Sequence, residues 1–325
     1  MIGSQYADLE IAVIGVGGWG KNHVRVLNNL GALKAVCDTD VERSTKVSEK
    51  YGVNHYTSVD QMLENEQHLD ACFVCTPTRS HYTIASRIIN LGVHAFVEKP
   101  LSFSSKECDD LVTLARNKNI ILTAGYIERY NPVVQDVKRI IEGKKYGELL
   151  MLEFHRENRM PVHITDVGIV YDTSVHDIDT AMYLFGSKPI LVFARTGKKF
   201  HAFEDFASIM LGFEDQRVAI IASNWITPKR VRRFSAVCTD GIISGDFISQ
   251  EIRIDDMEAT TIPRREFKEP LSVEITSFLD AVAGSHEVTD TLVSSIEATR
   301  VTKVAESAIL SSYTGSPIYL DFEER

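Results

Sequence analysis

The stretch IAVIGVGGWG, residues 11–20, decides the fold. Its apolar first half is typical of a buried strand, and Gly15, Gly17 and Gly20 form a GxGxxG pattern where a helix should begin. Glycines in a turn need no ligand to explain them, so this pattern is a weak signal by itself. Here Asp38 follows at the end of the next strand, and the combination predicts a loop that holds a dinucleotide.

This predicted loop also contains Gly18 and Trp19. It would bring backbone amides and a helix N-terminus to the pyrophosphate. Asp38 can accept hydrogen bonds from both ribose hydroxyls but would repel a 2′-phosphate, so NAD is predicted in preference to NADP. Thr39 and Asp40 follow Asp38, and Arg43 is interpreted as a charge on a helix surface.

Short apolar runs alternate with helical patterns along the first 125 residues. The runs are EIAVIG, ALKAVCD, DACFVCTP, VHAFVE and NIILTAG. Strands that are apolar on both faces belong to parallel sheets covered by helices. The sequence therefore predicts an α/β fold whose residues 1–125 form a doubly wound Rossmann domain.

The pattern changes after residue 125. Longer strand-like runs follow, namely ELLMLEFH, PILVFAR, FASIMLGF, RVAIIASNW, VRRFSAVC and GIISGDF. FASIMLGF and RVAIIASNW flank the polar turn 214–216, which predicts an antiparallel hairpin. Helices are expected near 273–282 and from about Thr291. Residues 126–325 are thus predicted to form one α+β domain with an open, mostly antiparallel sheet.

Composition excludes several classes of function. A net charge of −10 and a pI near 5.5 disfavour binding to nucleic acid or to an acidic membrane surface. No leader pattern and no membrane-length apolar stretch are present, so a cytoplasmic enzyme is expected. Five cysteines fit a reducing compartment, and the CxxC of Cys72 and Cys75 lies in an apolar strand, where core packing is the favoured interpretation.

The tripeptide Glu98-Lys99-Pro100 ends a predicted buried strand. Alone it would be interpreted as a surface turn with a local ion pair. Ligands of doubly wound sheets, however, bind beyond the carboxyl ends of the strands, and Lys99 is at such an end. An ammonium group there suits the negative charge that develops on an alcohol during oxidation.

A second candidate cluster is Asp172, His176 and Asp179, spaced so that all three can share one helix face. A neutral histidine suits the base that accepts the hydroxyl proton, and Asp172 or Asp179 could fix its tautomer. The alternatives are an N-cap for Asp172 and a core histidine for His176. No metal is predicted, because two carboxylates and one histidine are a sparse ligand set.

Five motifs together resemble the glucose-fructose oxidoreductase, inositol dehydrogenase and rhizopine catabolism (Gfo/Idh/MocA) family. They are GVGGWGKNH, TPTRSH at 76–81, EKP at 98–100, RYNP at 129–132 and HDID at 176–179. The resemblance implies a Rossmann domain with NAD, followed by an open sheet used partly for assembly into a homodimer or homotetramer.

The resemblance also implies roles for individual residues. It places Thr76, Pro77, His81 and Glu98 at the cofactor. Lys99 would contact both substrate and nicotinamide, and His176, assisted by Asp172, would handle the proton. Ser174 departs from many members, which have glycine there, and this leaves the pose of Asp172 open.

Three stretches, at 125–134, 156–168 and 223–234, look most like members that act on nucleotide sugars, particularly UDP-N-acetylglucosamine 3-dehydrogenases. A diphosphate needs cationic donors. The candidate substrate contacts are Arg156, Arg159, Lys229, Arg230, Arg232, Arg233, Asp179 and a stacking Trp225. Surface charges and a half-buried strand tryptophan are the competing interpretations. A dehydrogenase of free polyols or sugars such as myo-inositol or glucose, and a non-catalytic NAD-binding sensor, remain alternatives.

Overall fold

The computed structural model of the chain describes residues 5–161, 164, 166–284 and 292–322. Its contacts divide the chain into two units. The first unit comprises the chain up to Gly125 together with Leu271–Thr299, and the second comprises Tyr126–Pro270 with the chain from Arg300 onwards.

The first unit contains a six-stranded parallel sheet. Its strands are β1 (Ile11–Ile14), β2 (Leu33–Cys37), β3 (Asn54–Tyr56), β4 (Ala71–Val74), β5 (His94–Glu98) and β6 (Leu122–Gly125). The order β3-β2-β1-β4-β5-β6 reverses direction between β1 and β4, which is where doubly wound sheets bind their ligands. The predicted Rossmann fold is confirmed. The sequence missed the edge strand β3, because its side chains show no apolar pattern.

Five helices accompany this sheet along the chain. They are α1 (Gly20–Asn29), α2 (Val41–Tyr51), α3 (Val59–Asn65), α4 (His81–Asn90) and α5 (Ser105–Lys118). α1 starts at the last glycine of the loop, as the GxGxxG pattern predicts. Ser104 caps α5 by accepting a hydrogen bond from the Glu107 amide at 3.2 Å.

Four more helices follow: α6 (Pro132–Glu142), α7 (Val175–Phe185), α8 (Pro270–Val282) and α9 (Ser295–Thr314). The start of α9 is set by Ser294 and Glu297, which exchange side-chain and backbone hydrogen bonds. The predicted start near Thr291 lies outside the described residues. Within the described ranges, no helix has both the length and the apolar character needed to cross a bilayer.

The packing of α8 explains why the two observed units are not simply residues 1–125 and residues 126–325, the division that the sequence predicts. The Phe278 ring of this helix meets the rings of Phe73 and Phe96 edge-on, with centroids 5.3 and 5.6 Å apart. The Thr123 hydroxyl donates to the Val293 carbonyl at 2.8 Å. The segment 271–299 therefore clusters with the Rossmann sheet. Helical periodicity reveals an apolar face but not which sheet that face covers.

The second unit contains a nine-stranded sheet. Its strands are β7 (Leu149–Glu157), β8 (Leu191–Gly197), β9 (Phe206–Gly212), β10 (Val218–Asn224), β11 (Val231–Cys238), β12 (Gly241–Asp246), β13 (Ile252–Asp256), β14 (Thr260–Thr261) and β15 (Ile318–Tyr319). Their order is β14-β13-β12-β11-β7-β10-β9-β8-β15. All neighbours pair antiparallel except β10 and β7, which are parallel. The predicted open sheet and the β9–β10 hairpin are confirmed.

Alternate side chains of this sheet have different environments. Phe154 on β7 and Phe234 on β11 are buried and stacked, with ring centroids 5.8 Å apart. The intervening residues are half-buried or exposed. One face thus forms the core of the second unit, and the opposite face is the less buried one.

Candidate functional site

The glycine loop leaves β1 at the point where the strand order reverses. Gly15 has φ +85°, and a Cβ there would lie 2.7 Å from the Cys75 carbonyl oxygen. A Cβ on Gly20 would lie 1.8 Å from the Gly15 carbonyl oxygen. Both positions therefore require glycine, the first for its backbone conformation and both for close packing.

Asp38 organises the loop from the end of β2. Its carboxylate is 7% exposed and accepts hydrogen bonds from the amides of Val16 and Asp40, each at 2.9 Å. This places an acidic group beside the glycine loop, as expected for a residue that binds ribose hydroxyls. The loop and Asp38 form one hydrogen-bonded assembly rather than two separate motifs.

Arg43 joins this assembly from the surface of α2, where its side chain is 46% exposed. It is thus a helix-surface charge, as interpreted, but one that is paired with the loop. Its guanidinium donates to both oxygens of Asp38 at 3.0 Å and also pairs with Asp40. The hydrogen bond to Asp38 raises the pKa of Arg43. A Cβ on Gly17 would lie 3.3 Å from Arg43 Nη1, so the guanidinium lies beside the loop.

The remaining loop residues fit a dinucleotide. Gly18 and Trp19 are exposed, and α1 begins directly after them. The first amides of a helix have no partners within it and attract anions. A glycine-lined approach, a helix N-terminus and one acidic ribose partner are the features such a cofactor requires. In the described part of the chain, no cluster of three or more histidine, cysteine or acidic side chains suits a metal ion.

Glu98 is the last residue of β5, and Lys99 follows it at the same edge of the sheet. Glu98 is 8% exposed, and its Oε1 lies 2.7 Å from Nε2 of the buried His23. The other carboxylate oxygen accepts from the Lys99 amide at 3.2 Å. Lys99 is half-buried. Glu98, expected at the cofactor, is therefore tied to α1 and to the backbone of Lys99.

His81 has a different role from the expected cofactor contact. It is 1% exposed, with Nδ1 2.9 Å from the Pro100 carbonyl oxygen and Nε2 2.8 Å from the Thr76 carbonyl oxygen. Both ring nitrogens are thus engaged with backbone. Pro77 is exposed and Thr76 half-buried, so these two remain candidates for contact with a ligand.

In the second unit, His176 lies on α7 just after a π-helical turn, Val170–Ser174. Such turns are frequent at functional sites. Asp172 lies within the turn and accepts from the Thr173 hydroxyl at 3.0 Å. Both Asp172 and His176 are half-buried. The ring of Tyr126 stands edge-on to that of His176, with centroids 6.5 Å apart.

The turn is fixed to β10. The Ser174 hydroxyl donates to the Ser223 hydroxyl at 3.1 Å, and Trp225 Nε1 donates to the Thr173 hydroxyl at 3.1 Å. Ser174, the departure from the family pattern, thus supplies an anchor that glycine could not. Trp225 is 5% exposed, which corrects the expectation that it stacks on a substrate ring.

Arg156 is also corrected as a substrate contact. It is 1% exposed and donates to Asp177 at 2.7–3.1 Å and to Glu128 at 2.9 Å. Burial lowers the pKa of Arg156, but Asp177 and Glu128 outweigh this effect and raise it overall. A guanidinium enclosed by two carboxylates is committed to the fold and cannot serve a diphosphate.

Asp179 is the third correction. It is fully buried and accepts three hydrogen bonds from Arg129 at 2.7–3.0 Å. Its carboxylate therefore holds α7 in place rather than contacting a substrate. The motif RYNP contained this partner, but nothing in the sequence paired Arg129 with Asp179.

The other cations divide into two groups. Arg159, Lys229 and Arg230 are exposed and remain open to a ligand. Arg233 pairs with Asp246 at 3.0 Å. Arg232 is one-third exposed, lies opposite Arg156 across β11 and β7, and approaches Glu128 at 3.6 Å. Burial first, and then repulsion from Arg156, lower the pKa of Arg232 to about 10.

Sequence reasoning missed five residues: His23, Arg43, Glu128, Arg129 and Asp177. His23, Arg129 and Asp177 lie within motifs that were recognised, GVGGWGKNH, RYNP and HDID, but no role was assigned to them. Arg43 pairs with Asp38 only five residues away, but the other four have ion-pair partners distant along the chain, so local spacing did not signal those pairs. Glu128 and Asp177, for example, lie 28 and 21 residues from Arg156.

Two family models match the chain. A model described as an oxidoreductase family with an NAD-binding Rossmann fold matches residues 9–126, and a GFO/IDH/MocA C-terminal domain model matches residues 134–244. Together they span the glycine loop, the EKP tripeptide and the HDID motif.

Individual relatives are similar over different shares of the chain. UDP-N-acetylglucosamine 3-dehydrogenase of Acidithiobacillus ferrooxidans is 27% identical over 86% of this chain and 90% of its own. A solved structure of that enzyme has a TM-score of 0.86 at 25% identity and covers 94% of this chain and 98% of its own. Myo-inositol 2-dehydrogenase of Thermotoga maritima is 27% identical over 57% of this chain and 58% of its own.

Proposed function

Because the chain belongs to the Gfo/Idh/MocA oxidoreductase family, we propose that it is an NAD-dependent dehydrogenase of a nucleotide sugar. The reaction transfers a hydride between a secondary alcohol and NAD, and the 3-hydroxyl of UDP-N-acetylglucosamine is the first candidate. The observation that carries this substrate class is the extent of the similarity. The match to a 3-dehydrogenase of that sugar runs through both family domains.

The cofactor proposal depends on Asp38. Its buried carboxylate is held beside the glycine loop by two backbone amides, which suits a residue that accepts ribose hydroxyls. A 2′-phosphate would meet this charge, which favours NAD. Arg43 offsets part of the repulsion, because its guanidinium bonds both carboxylate oxygens. The preference for NAD over NADP is therefore expected to be smaller than it would be if Asp38 had no paired arginine.

Three residues are proposed to carry the chemistry. The Lys99 ammonium stabilises negative charge on the substrate oxygen as its proton leaves. His176 accepts that proton, and Asp172 orients the ring. NAD, when bound, would supply the hydride acceptor for the carbon. In the reverse direction His176 returns the proton to the oxygen, so the same side chains serve both directions.

The inositol relatives support a second candidate, a dehydrogenase of free polyols. The sequence match to myo-inositol 2-dehydrogenase covers 57% of this chain, whereas the match to the nucleotide-sugar enzyme covers 86%. The exposed cations Arg159, Lys229 and Arg230 also suit a diphosphate better than an uncharged polyol.

A substrate panel tests these candidates. The purified protein is mixed with NAD and either UDP-N-acetylglucosamine, myo-inositol or glucose, and NADH absorbance is followed. NADH formation with the nucleotide sugar is expected. A response confined to the free polyols would move the assignment to the second candidate. NAD-induced thermal stabilisation without turnover of any alcohol would favour a sensor.

Two variants test the residue roles. We expect Lys99→Met and His176→Ala each to lower kcat by about 100-fold or more with little change in NAD affinity. Lys106→Met and His55→Ala are matched controls, because both residues are exposed and have no proposed role in the chemistry. Variants at Lys99 and His176 that turn over like these controls would remove both residues from the mechanism.

Assembly is proposed to use the less buried face of the nine-stranded sheet. Phe193, Met210 and Ile220 lie side by side there on β8, β9 and β10. A continuous apolar row on an open sheet suits a second copy of the same chain. Sedimentation should give a dimer or tetramer, and Ile220→Glu should shift it towards monomer. A monomeric parent protein would contradict the assignment.

A further inference from the structure

Both neighbours of Lys99 in the sequence are held by buried histidines. Glu98 bonds the ring of His23, and the carbonyl of Pro100 bonds the ring of His81. We propose that His23 and His81 are positioning residues that fix Lys99 from both sides. The catalytic part of this inference rests on the proposed function, because it takes Lys99 as the group that acts on the alcohol.

His23 is placed in an environment that is costly for its ring. It is fully buried, with the rings of Phe73 and Phe96 5.5 and 5.4 Å away. Nε2 contacts Glu98, whereas Nδ1 has no hydrogen-bond partner among the residues that the structure describes. An apolar side chain would fill this space without burying an unpaired nitrogen. The bond to Glu98 is therefore what the histidine contributes.

Glu98 passes this contact on to Lys99. One carboxylate oxygen accepts a hydrogen bond from His23 Nε2, and the other accepts one from the Lys99 amide. A carboxylate that is only 8% exposed needs such donors, because little water can replace them. Loss of the His23 ring would leave Glu98 without this donor. The carboxylate would then shift, and the Lys99 backbone would move with it.

His81 fixes the other side of Lys99. It is 1% exposed, and its two nitrogens contact the carbonyls of Pro100 and Thr76. Carbonyl oxygens only accept, so each of these bonds is donated by the ring nitrogen that faces it. The ring thereby ties the segment after β4 to the segment after β5.

The two histidines also connect Lys99 to the cofactor loop. His23 lies three residues after Gly20 on α1, and Thr76 packs against Gly15. The backbone that receives the pyrophosphate is thus joined through rings to the backbone that carries the ammonium. This arrangement predicts that loss of either ring mainly misplaces Lys99 and lowers kcat, whereas NAD binding is largely retained.

The choice of variants depends on which ring nitrogen of each histidine makes a hydrogen bond. His23→Phe removes the donor and keeps an aromatic ring. In His23→Gln the amide nitrogen can reach the position of Nε2, whereas in His23→Asn it reaches only that of Nδ1. Gln should therefore rescue and Asn should not. At His81 both nitrogens are engaged, so neither amide should rescue fully. His94→Gln is the control, because His94 begins β5 at the opposite end from Glu98.

The first readout needs no substrate. The rate at which acetic anhydride modifies Lys99 is measured by mass spectrometry on the full-length folded protein. We expect His23→Phe and His81→Phe to change this rate by about threefold or more, with His23→Gln and His94→Gln close to the parent. With UDP-N-acetylglucosamine, kcat should fall by about 10- to 100-fold, because small misplacements of a reacting group cost that much. The Kd for NAD should change by less than about threefold.

The outcomes separate this inference from the proposed function. If Lys99 modification changes as expected but no alcohol is oxidised, positioning stands and the dehydrogenase assignment fails. If the folded His23→Phe and His81→Phe variants have the Lys99 modification rate and the kcat of the parent protein, the positioning role is overturned. Equal behaviour of His23→Gln and His23→Asn would also overturn it, since packing alone does not distinguish the two nitrogens. Should His23→Phe fail to fold, Glu98→Gln must reproduce its effect on Lys99.

Discussion

Asp177→Asn should destabilise the second unit strongly. The substitution keeps the size of the side chain but removes the charge that faces the Arg156 guanidinium at 2.7–3.1 Å. Both side chains are about 1% exposed, so water cannot replace the lost partner. Arg156 would keep Glu128 at 2.9 Å but would still lie opposite Arg232 across the two strands.

The magnitude follows from these contacts. Breaking a buried ion pair by removing one partner costs about 3–5 kcal/mol, because the remaining charge stays buried without full compensation. Since Glu128 remains, we expect the lower end, about 3 kcal/mol. For a unit of this size each kcal/mol shifts Tm by about 2–4 °C, which gives a decrease of about 6–12 °C.

The assay must report on the second unit alone, because two units need not unfold together. The chain has two tryptophans, Trp19 in the first unit and the buried Trp225 in the second. In a Trp19→Phe background, the fluorescence of Trp225 therefore follows the second unit. Asp255→Asn is the matched control, because Asp255 binds Arg253 through two oxygens in a similar geometry on the exposed surface.

We expect Asp255→Asn to leave Tm nearly unchanged, because exposed ion pairs contribute little. The reasoning is refuted if Asp177→Asn also unfolds within about 2 °C of the parent, since that shift corresponds to at most about 1 kcal/mol. Such a result would mean that the enclosed guanidinium is solvated or compensated in a way that its contacts do not show.

Three further results are expected. Arg43→Ala should raise the ratio of NAD affinity to NADP affinity about tenfold, or about 1.4 kcal/mol, because the Asp38 charge is then uncompensated. Fluorescence titration with both coenzymes measures this ratio, and an unchanged ratio counts against the prediction. Burial raises the pKa of Cys37 to about 11 and that of Cys72 to about 12. Iodoacetamide at pH 8 should therefore alkylate both thiols at least about tenfold more slowly in the folded chain than in the urea-unfolded chain. Rapid alkylation of Cys72 in the folded chain would favour a redox role for the CxxC motif. The same raised pKa values mean that above about pH 9 the unfolded chain releases thiol protons which the folded chain keeps. The free energy of unfolding should then fall by up to about 1.4 kcal/mol per pH unit for each thiol, and equal urea midpoints at pH 8 and pH 10 would contradict this.

The elements that the sequence predicted well are those specified locally. Strands apolar on both faces and a GxGxxG pattern at a strand–helix junction depend on residues within about ten positions of one another. The β9–β10 hairpin is of the same kind, because the turn 214–216 and the flanking runs suffice to pair Val218 with Gly212. Local patterns did not reveal that α8 packs on the first sheet.

The charged residues show why the site was harder to predict. A run of cations after Ser223 looks like a phosphate site when counted along the chain. In the fold, Arg233 pairs with Asp246 on the neighbouring strand, and Arg156, from another strand, is enclosed by Asp177 and Glu128. Whether a cation is free for a ligand depends on carboxylates that arrive from distant segments. Composition and spacing cannot supply that information.

The HDID motif shows how one short segment supplies both structural ion pairs and a candidate catalytic residue. Successive residues of a helix are rotated by about 100°, so Asp177 and Asp179 point in well-separated directions. Asp177 binds Arg156 on β7, and Asp179 binds Arg129 in the turn before α6. Two ion pairs in different directions fix both the rotation and the axial position of α7. Because His176 precedes them on the same helix, its backbone position is set by charges that themselves need not touch a substrate.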